Sequence, residues 1–285
     1  MAAIVSPGAQ GAIAALTAIS LAVSAERSSR EHTLLGTAQE IGAGTVQSFV
    51  KVASNGAPVA IGVTLSRGAL ERLPRTPNTT SRCFDMDGDG RYNGHECMGD
   101  EERILDVPTG ASSLPFSWVM LNWNPAGHHG TPYAQGHFDF HFYMTDRNLV
   151  ESIRPGRCGE MVDCGDFKRG SERVPPQYLP AGYIDIGAVA PRMGNHLLDS
   201  RSPELKDSLP FTSTFIYGAY QGDIIFLEPM ITLDVLRSPE NRCLEIRQPQ
   251  AFRRAGYYPT QYCVRQERNG QRTVSLEGFR YAEAQ

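Results

Sequence analysis

Short runs of β-branched and aromatic residues, separated by glycine and proline, limit the fold of this chain more than any other feature. Residues 45–54 (TVQSFVKVAS) and 58–66 (PVAIGVTLS) are two such runs, and Asn55-Gly56 between them favours the positive φ of a tight hairpin turn. Similar runs occupy residues 114–123, 137–144, 211–220 and 223–236. Helical periodicity is rare, and short helices are expected only at 68–73 and 146–153. The sequence therefore predicts a mainly β (α+β) fold, an antiparallel barrel or sandwich with short helices.

Composition and charge exclude several classes of protein. With 285 residues, 41% hydrophobic and 20% charged, the chain can bury a core and is not globally disordered. Its formal net charge of -4 leaves no positive excess to neutralise a phosphate backbone, so nucleic acid is not an expected partner. No apolar run reaches the length of about 18 residues that a membrane-spanning helix needs, so the protein is not expected to span a membrane.

The N-terminus and the cysteines indicate export. Residues 11–25 (GAIAALTAISLAVSA) form an apolar run that ends in small residues of the kind that signal peptidases recognise, so residues 1–25 are predicted to be a signal peptide. Because residues 1–10 contain no Lys or Arg, a buried N-terminal helix is the alternative. Six cysteines predict disulfides in a secreted, periplasmic or cell-surface protein. The simplest pairs are sequence neighbours, Cys83 with Cys97, Cys158 with Cys164, and Cys243 with Cys263.

The mature chain divides into three predicted parts. Residues 26–236 form a β-rich, barrel-like domain. The polar residues 75–104 are an insertion in that domain. Residues 237–285 are Arg-rich, poor in aliphatic residues and contain the last cysteine pair, so we expect a disulfide-stapled C-terminal appendage.

The strongest motif lies between Cys83 and Cys97. Its spacing matches the calcium loop D-x-D-x-D-G followed by Glu at the twelfth position, and Gly90 permits the sharp turn. The predicted ligands are the carboxylates of Asp85, Asp87 and Asp89, the backbone carbonyl of Arg91, a water-bridged Asn93 and a bidentate Glu96. The motif resembles EF-hand and dockerin-type loops, although Tyr92 stands where an aliphatic residue is usual. A Cys83–Cys97 disulfide would reduce the conformational entropy of the unfolded loop, which stabilises the folded loop by about 3 kcal/mol. It would take the place of the helices that flank an EF-hand loop. The alternative is a solvated acidic loop without an ion.

Four of the seven histidines lie between residues 122 and 144, two of them in one predicted strand, the histidine strand. Strand alternation places His137, Asp139, His141 and Tyr143 on one face and aromatic residues on the other. Residues two apart lie about 6.6 Å apart and can share an ion, whereas residues four apart lie about 13 Å apart and normally cannot. One ion therefore takes Asp139 with His141, or His137 with Asp139.

Two other segments can complete a metal site. His196 follows a glycine closely, and Glu228 shares a strand face with apolar residues, where an ionised carboxylate is costly unless it is paired or metal-bound. Together with the histidine strand they offer nitrogen and oxygen ligands suited to Zn²⁺, Mn²⁺, Fe²⁺ or Ni²⁺, with a position open for water or substrate. His128-His129 beside glycine is typical of a solvated loop. The alternative to a metal site is a hydrogen-bonded network that lines a ligand cavity.

These residues predict a metal-binding protein with Ca²⁺ and a transition-metal ion as cofactors. If it is an enzyme, the expected mechanism is Lewis-acid polarisation of a small carbonyl compound, with Tyr143 or Glu228 as the proton carrier. The competing predictions are a non-catalytic protein that binds a small ligand and an oligomeric cell-surface protein. No G-x-S-x-G, P-loop or dinucleotide fingerprint is present.

Several segments resemble an uncharacterised bacterial domain family first described from Thermus: HFDFHFYM at residues 137–144, PRMGNH at 191–196, and the paired runs FTSTFIYG and GDIIFLEPMITLDVL. The resemblance covers residues 37–236 without the calcium insertion, and it implies a mixed barrel-like domain able to form homo-oligomers and no established activity.

A second resemblance is to the metal-binding stretch of acetolactate decarboxylase. It rests on Asp139-Phe-His141-Phe, Asp146-Arg147 and Gly194-Asn-His196-Leu-Leu-Asp199. That family has H-x-H followed by G-G-H, whereas here Asp139 replaces the first histidine and Asn195 replaces a glycine. The resemblance gives a direction for enzyme assays.

Overall fold

The computed structural model describes residue 2 and residues 31–92, 96–128 and 131–285, so the predicted signal peptide lies outside the described residues except for residue 2. The strands are β1 (His32–Leu35), β2 (Gln39–Ile41), β3 (Gly44–Val52), β4 (Pro58–Leu65), β5 (Asn78–Cys83), β6 (Cys97–Gly99), β7 (Glu101–Asp106), β8 (Trp118–Asn124), β9 (His137–Tyr143), β10 (Pro155–Cys158), β11 (Tyr183–Ala190), β12 (Gly194–Asp199), β13 (Ser213–Tyr220), β14 (Asp223–Thr232), β15 (Arg242–Glu245), β16 (Gly256–Tyr258), β17 (Gln261–Gln266), β18 (Arg272–Glu277) and β19 (Arg280–Ala282). The helices are α1 (Arg147–Glu151), α2 (Cys164–Gly170), α3 (Pro203–Lys206) and α4 (Leu233–Arg237), with a 3-10 turn at Pro176–Tyr178. No helix among the described residues is long and apolar enough to cross a bilayer.

Two antiparallel sheets of seven strands each form most of the protein. The first sheet has the order β1-β3-β4-β18-β17-β15, with β2 paired to β3. The second, which we call the site sheet, has the order β11-β12-β13-β14-β9-β8-β7. Neither sheet closes into a barrel, and the arrangement is that of an open sandwich. This confirms the mainly β prediction and favours the sandwich over the barrel.

The core between the sheets uses one face of each. Phe138, Phe140 and Phe142 of β9 are fully buried there, in the same apolar cluster as Val63 of β4 and Leu276 of β18. Since side chains alternate along a strand, the other face of β9 points away from the sandwich core. The predicted division of the histidine strand into an aromatic face and a polar face is therefore confirmed.

Two local predictions, a tight hairpin and a short helix, are confirmed. β3 and β4 form the predicted hairpin, and Gly56 in its turn has a φ of 83°. The helix predicted at 146–153 is present as α1, where the side chain of Asp146 accepts a hydrogen bond from the backbone N–H of Asn148 at 2.8 Å. Asp146 thus supplies the cap that begins the helix.

The helix predicted at 68–73 is wrong, because these residues form turns and bends. The backbone N–H of Ala43 donates to the carbonyls of Gly68 and Glu71, at 3.1 and 2.9 Å. The Gly68 carbonyl also accepts from the N–H of Glu71 at 2.9 Å, so the segment makes turn and tertiary hydrogen bonds in place of the regular bonds of an α-helix.

The C-terminal residues complete the first sheet, where the sequence predicts an appendage. β18 lies between β4 and β17, and Val264, Val274 and Leu276 are buried in the sandwich core. The few aliphatic residues of 237–285 alternate onto one face, so a low aliphatic content is sufficient for a central strand. β7 likewise pairs with β8, so residues 101–104 at the end of the predicted insertion belong to the edge of the site sheet.

All six cysteines form the three predicted disulfides, Cys83–Cys97, Cys158–Cys164 and Cys243–Cys263. Disulfides persist in oxidising compartments and are rare in the cytosol, so these bonds are consistent with an extracellular protein.

A second apolar layer covers the outer face of the site sheet. Val150 and Ile153, from the α1 segment, and Val162 belong to the same buried cluster as Tyr143 and Phe226 of the sheet. This layer excludes water from the polar side chains of that face. Polar groups beneath it therefore need partners or an ion.

Asp166 of α2 fastens this layer to the site sheet. Its buried carboxylate accepts hydrogen bonds from the backbone N–H of Arg154 at 3.0 Å and the hydroxyl of Tyr220 at 2.8 Å, and it pairs with Arg169. Burial alone would raise the pKa of Asp166, but these hydrogen bonds lower it below its ordinary value of 3.8.

We expect Asp166→Asn to lower the free energy of unfolding at neutral pH by about 1–3 kcal/mol, because a neutral amide with one acceptor oxygen cannot make all the contacts that the carboxylate makes with Arg154, Tyr220 and Arg169. A lowered folded pKa means that this stabilisation is present above pH 3.8 and is lost as the pH falls through the folded pKa. Urea unfolding at neutral and acid pH should show the difference between the proteins shrinking in acid. Asp207→Asn, at an exposed position, is the control. A difference that persists unchanged in acid would refute the assignment.

Candidate metal centre

The polar face of β9 is buried under the second apolar layer. His137, Asp139, His141 and Tyr143 are exposed by 0%, 4%, 1% and 0%. Ionisable groups are rarely buried to this extent without partners. The structure places His137 and Asp139 in one group of candidate metal ligands and His141 in another, and Tyr143 belongs to neither.

The first group is the triad of His141, His196 and Glu228, whose ligand atoms lie within 4.8 Å of one another. The β9–β14 register, in which Phe226 pairs with Tyr143, continues to place Glu228 opposite His141. Nε2 of His141 is 3.5 Å from Oε1 of Glu228, and Nε2 of His196 is 3.8 Å from Oε2. The structure thus brings together three of the five residues predicted to hold a transition metal.

Both histidines of the triad are oriented by backbone carbonyls. Nδ1 of His141 lies 3.2 Å from the carbonyl oxygen of Met120 on β8, and Nδ1 of His196 lies 3.0 Å from that of Ala188 on β11. A carbonyl only accepts, so each Nδ1 carries the proton and donates. Nε2 of each ring then faces Glu228. Metal-ligating histidines are held in this way.

The facing atoms of the triad are not satisfied by one another. Nε2 of His141 and Oε2 of Glu228 are buried and have no hydrogen-bond partner among the described residues. The separations of 3.5 and 3.8 Å are at or beyond the limit of a hydrogen bond. Two ligands of one tetrahedral ion, each about 2.0–2.1 Å from it, lie about 3.4 Å apart. The observed spacing therefore suits a shared ion better than a direct bond.

Burial controls the charge of the triad when no ion is present. It lowers the pKa of His141 to about 3. It also raises the pKa of Glu228 well above the ordinary range, and the nearby Asp139 adds to this shift. Without an ion, His141 and Glu228 are therefore neutral, and a divalent cation would reverse the preference of Glu228 by stabilising the carboxylate.

Phe226 and Gly218 shape the wall of the triad. The ring of Phe226 lies edge-on to the rings of His141 and His196, with centroid distances of 5.1 and 5.2 Å. Gly218 pairs with both His196 and Phe226, and a Cβ at Gly218 would lie 2.0 Å from the Phe226 ring. The missing side chain of Gly218 gives Phe226 its place between the two histidines.

We expect Gly218→Ala to displace Phe226, to lower the free energy of unfolding by about 1–3 kcal/mol through overpacking, and to weaken metal binding. Thermal melts and metal titration measure the two effects. Gly270→Ala is the control for metal binding: its φ of 82° also strains an alanine, but a Cβ there meets only Arg67 side-chain atoms at 3.6 Å or more. Unchanged metal binding in Gly218→Ala would show that Phe226 does not position the histidines.

His137 and Asp139 lie apart from the triad and are joined by His128 in a second group of ligand atoms. Burial alone would raise the pKa of Asp139, but the charge of His137 lowers it to about 2. His128 was predicted only as part of a solvated loop, and the density of histidine around it was the one signal in the sequence that could have identified it.

The hydroxyl of Tyr143 donates to the backbone carbonyl of Met193 at 3.2 Å, and its ring stacks on Trp118. Burial raises the pKa of Tyr143 well above its ordinary value. The proton-carrier role of Tyr143 stays a prediction. A cavity of about 520 Å³ lies elsewhere, lined by residues that include Trp123, Gln135 and Arg237 and none of the triad.

The predicted calcium loop folds around part of its ligand set. Carboxylate oxygens of Asp85, Asp87 and Glu96 lie within 4.8 Å of one another. Gly90 has the expected positive φ, 76°. Oδ1 of Asp89 accepts from the backbone N–H of Arg91 at 2.8 Å. Asn93 lies outside the described residues. The carbonyl contribution of Arg91 and the metal role of Asp89 stay predictions.

In comparison with known proteins, the chain matches no family model, no curated protein and no solved structure.

Proposed function

We propose that this protein binds one divalent transition-metal ion through His141, His196 and Glu228. The observation that carries the proposal is that Nε2 of His141 and Oε2 of Glu228 are both buried without a hydrogen-bond partner among the described residues, while the ligand atoms of the triad lie within 4.8 Å of one another. Leaving such atoms unsatisfied costs about 1–3 kcal/mol each. An ion between them would satisfy both and also engage His196.

Two imidazoles and one carboxylate suit Zn²⁺, Mn²⁺, Fe²⁺ or Ni²⁺. Three protein ligands leave a coordination position open for water or a small ligand, as in catalytic metal sites. His196 is the most exposed member, with 15% of its side chain accessible, so a ligand would approach from its side.

An ion in this position supplies Lewis-acid chemistry, and we propose a small carbonyl compound as the substrate class. The likeness of the histidine strand and of the His196 segment to acetolactate decarboxylase supports the same direction for assays. In this proposal the triad residues hold and orient the ion, while the apolar layer above them excludes bulk water.

Elemental analysis of protein purified without a histidine tag tests metal binding. His141→Ala should lose one equivalent of transition metal relative to the wild type. His32→Ala, on an exposed edge strand of the other sheet, is the matched control and should lose none. Equal metal content in the wild type and in His141→Ala would refute the proposal.

We propose export for the same protein, on the basis of the signal-like residues 11–25 and the three disulfides. Outside the cell calcium is abundant, and a loop such as residues 85–96 needs only weak affinity, with a Kd of about 10⁻⁴ to 10⁻³ M, to be filled. The ion would then be structural. The Arg82 side chain, beside this loop, donates to Asp100 at 2.9 Å and pairs with Glu102 of β7 at 2.7 Å, and so ties the loop to the site sheet.

We expect calcium to raise the Tm of the wild type and to leave that of Asp87→Ala unchanged, because Asp87 is one of the three clustered carboxylates. At an ion concentration 100 times the Kd the stabilisation is about 2.7 kcal/mol, which corresponds to a Tm shift of roughly 5–10 °C. Calorimetric titration with Ca²⁺ and thermal melts in calcium or chelator measure this. Asp207→Asn is the control, and a calcium response in Asp87→Ala equal to that of the wild type would contradict the loop assignment.

A further inference from the structure

His128, His137 and Asp139 form a second convergent set of ligand atoms on the outer face of the site sheet, and none of them belongs to the triad. Nε2 of His137 is 3.1 Å from Oδ1 of Asp139, and Nε2 of His128 is 3.9 Å from Oδ2. The rings of the two histidines lie 4.9 Å apart, edge to face. All three side chains therefore surround one small volume.

The two buried members are oriented by neighbours that leave their ligand atoms open. Nδ1 of His137 lies 2.6 Å from the carbonyl oxygen of Gln135, to which it donates, so Nε2 is the nitrogen that remains to bind an ion. The Asn124 amide donates to Oδ2 of Asp139 at 2.5 Å, which fixes the carboxylate and leaves Oδ1 facing His137. Outer partners of this kind orient the ligands of metal sites.

Nε2 of His137 and Oδ1 of Asp139 are both buried and have no hydrogen-bond partner among the described residues. Their separation of 3.1 Å permits a hydrogen bond, so it is the direction of the ring nitrogen that misses the oxygen. Ligands of a shared ion point at the ion and not at one another. An ion bound to both atoms would satisfy them.

His128 differs from the other members because it is open to solvent. Its side chain is 46% exposed, whereas the most exposed side chain of the triad, that of His196, is 15% exposed. Its backbone is held in place, since its N–H donates to the carbonyl of Tyr133 at 3.0 Å and its carbonyl accepts from Thr131 at 2.7 Å. The third ligand is thus positioned at the protein surface.

We propose that His128, His137 and Asp139 bind a second divalent transition-metal ion, and that this ion exchanges with solvent faster than the ion of the triad. Two imidazoles and a carboxylate again favour Zn²⁺ and its neighbours. The half-exposed His128 gives water and chelators a direct route to the ion. Because the two sites share no ligand, each can be removed without deleting a ligand of the other.

Zinc loading of the untagged full chain tests this proposal, with millimolar Ca²⁺ present to occupy the calcium loop. Zinc per chain is measured by elemental analysis after free metal is removed, and zinc release to a chromogenic chelator is followed over time. The wild type should hold two zinc ions that leave in a fast and a slow phase. His128→Ala and Asp139→Asn should each hold one and lose the fast phase. His32→Ala, at an exposed position on the other sheet, should behave as the wild type.

The variant Glu228→Gln separates this proposal from the triad. It should keep the fast phase and lose the slow one. Zinc content and fast release that are unchanged in both His128→Ala and Asp139→Asn would overturn the second site. A single wild-type zinc that survives in His128→Ala but not in Glu228→Gln would overturn the second site and support the triad. A single zinc lost in His128→Ala and kept in Glu228→Gln would support the second site and overturn the triad.

Discussion

Glu228→Gln is expected to stabilise the metal-free protein and to destabilise the metal-loaded one relative to the wild type. Burial raises the pKa of Glu228, so the folded empty triad keeps a proton that the unfolded chain loses above its ordinary pKa of 4.5. The stability of the metal-free wild type therefore falls as the pH rises from 4.5 toward the folded pKa. Glutamine has nearly the same shape as a protonated glutamate and does not ionise, so the metal-free variant does not lose this stability as the pH rises.

With the ion bound, the variant is expected to be less stable than the wild type. A carboxylate that ligates the ion cannot be replaced by an amide without a large loss of affinity, which we expect to be about 100-fold or more, or about 2.7 kcal/mol. At an ion concentration 100 times the wild-type Kd, the wild type gains about 2.7 kcal/mol, a Tm increase of roughly 5–10 °C that the variant does not share at this site. Thermal melts of both proteins at neutral pH, with zinc and with chelator, measure the crossover.

Glu204→Gln is the matched control. Glu204 is 5% exposed and also has an unpartnered buried oxygen, but it belongs to neither group of metal-ligating side chains. Its replacement should leave the zinc-induced Tm increase as in the wild type. If Glu228→Gln were destabilised to the same extent with zinc and with chelator, Glu228 would be an ordinary structural residue.

Phe140→Ala is expected to lower the free energy of unfolding by about 3–5 kcal/mol, because it removes a fully buried ring from a packed core. Phe140 is 0% exposed and lies between Asp139 and His141 in the sequence, on the opposite face of β9. The protein that does fold should still hold its full complement of transition metal. Urea unfolding gives the first quantity, and elemental analysis of the folded fraction gives the second.

Phe140→Leu is the companion variant, with a smaller expected loss of about 1.5 kcal/mol or less if the core repacks. The neighbour His141→Ala should show the opposite pattern, with one ion lost per chain. A loss of metal in Phe140→Leu as complete as in His141→Ala would mean that the two faces of β9 are not separate.

The sequence identifies the individual residues of the triad as candidate ligands because the signals that point to them are local. Alternation along 137–144 and 224–230 places His141 and Glu228 on strand faces, and both faces are as predicted. Which residues become partners depends on the tertiary structure. Alternation within a strand does not predict that β9 pairs with β14, or the register that sets Glu228 opposite His141. It therefore leaves open which residues share an ion.

The remaining features depend on contacts between distant segments. His128 lies beside His137 and Asp139 through a tertiary contact, and apart from the density of histidine around it no local signal distinguishes it from a solvated histidine. Gly218 matters because Phe226 on another strand needs its space. Residues 237–285 look like an appendage by composition, whereas β18 pairs with β4 more than 200 residues earlier in the chain.

Anomalous diffraction from crystals of the untagged protein soaked in Zn²⁺, recorded at the zinc absorption edge, tests the triad most directly. We predict a peak about 2.0–2.2 Å from Nε2 of His141, Nε2 of His196 and a carboxylate oxygen of Glu228. Zinc-soaked crystals that show no peak among these three side chains, with Glu228 instead hydrogen-bonded to water or to a protein group, would contradict the account.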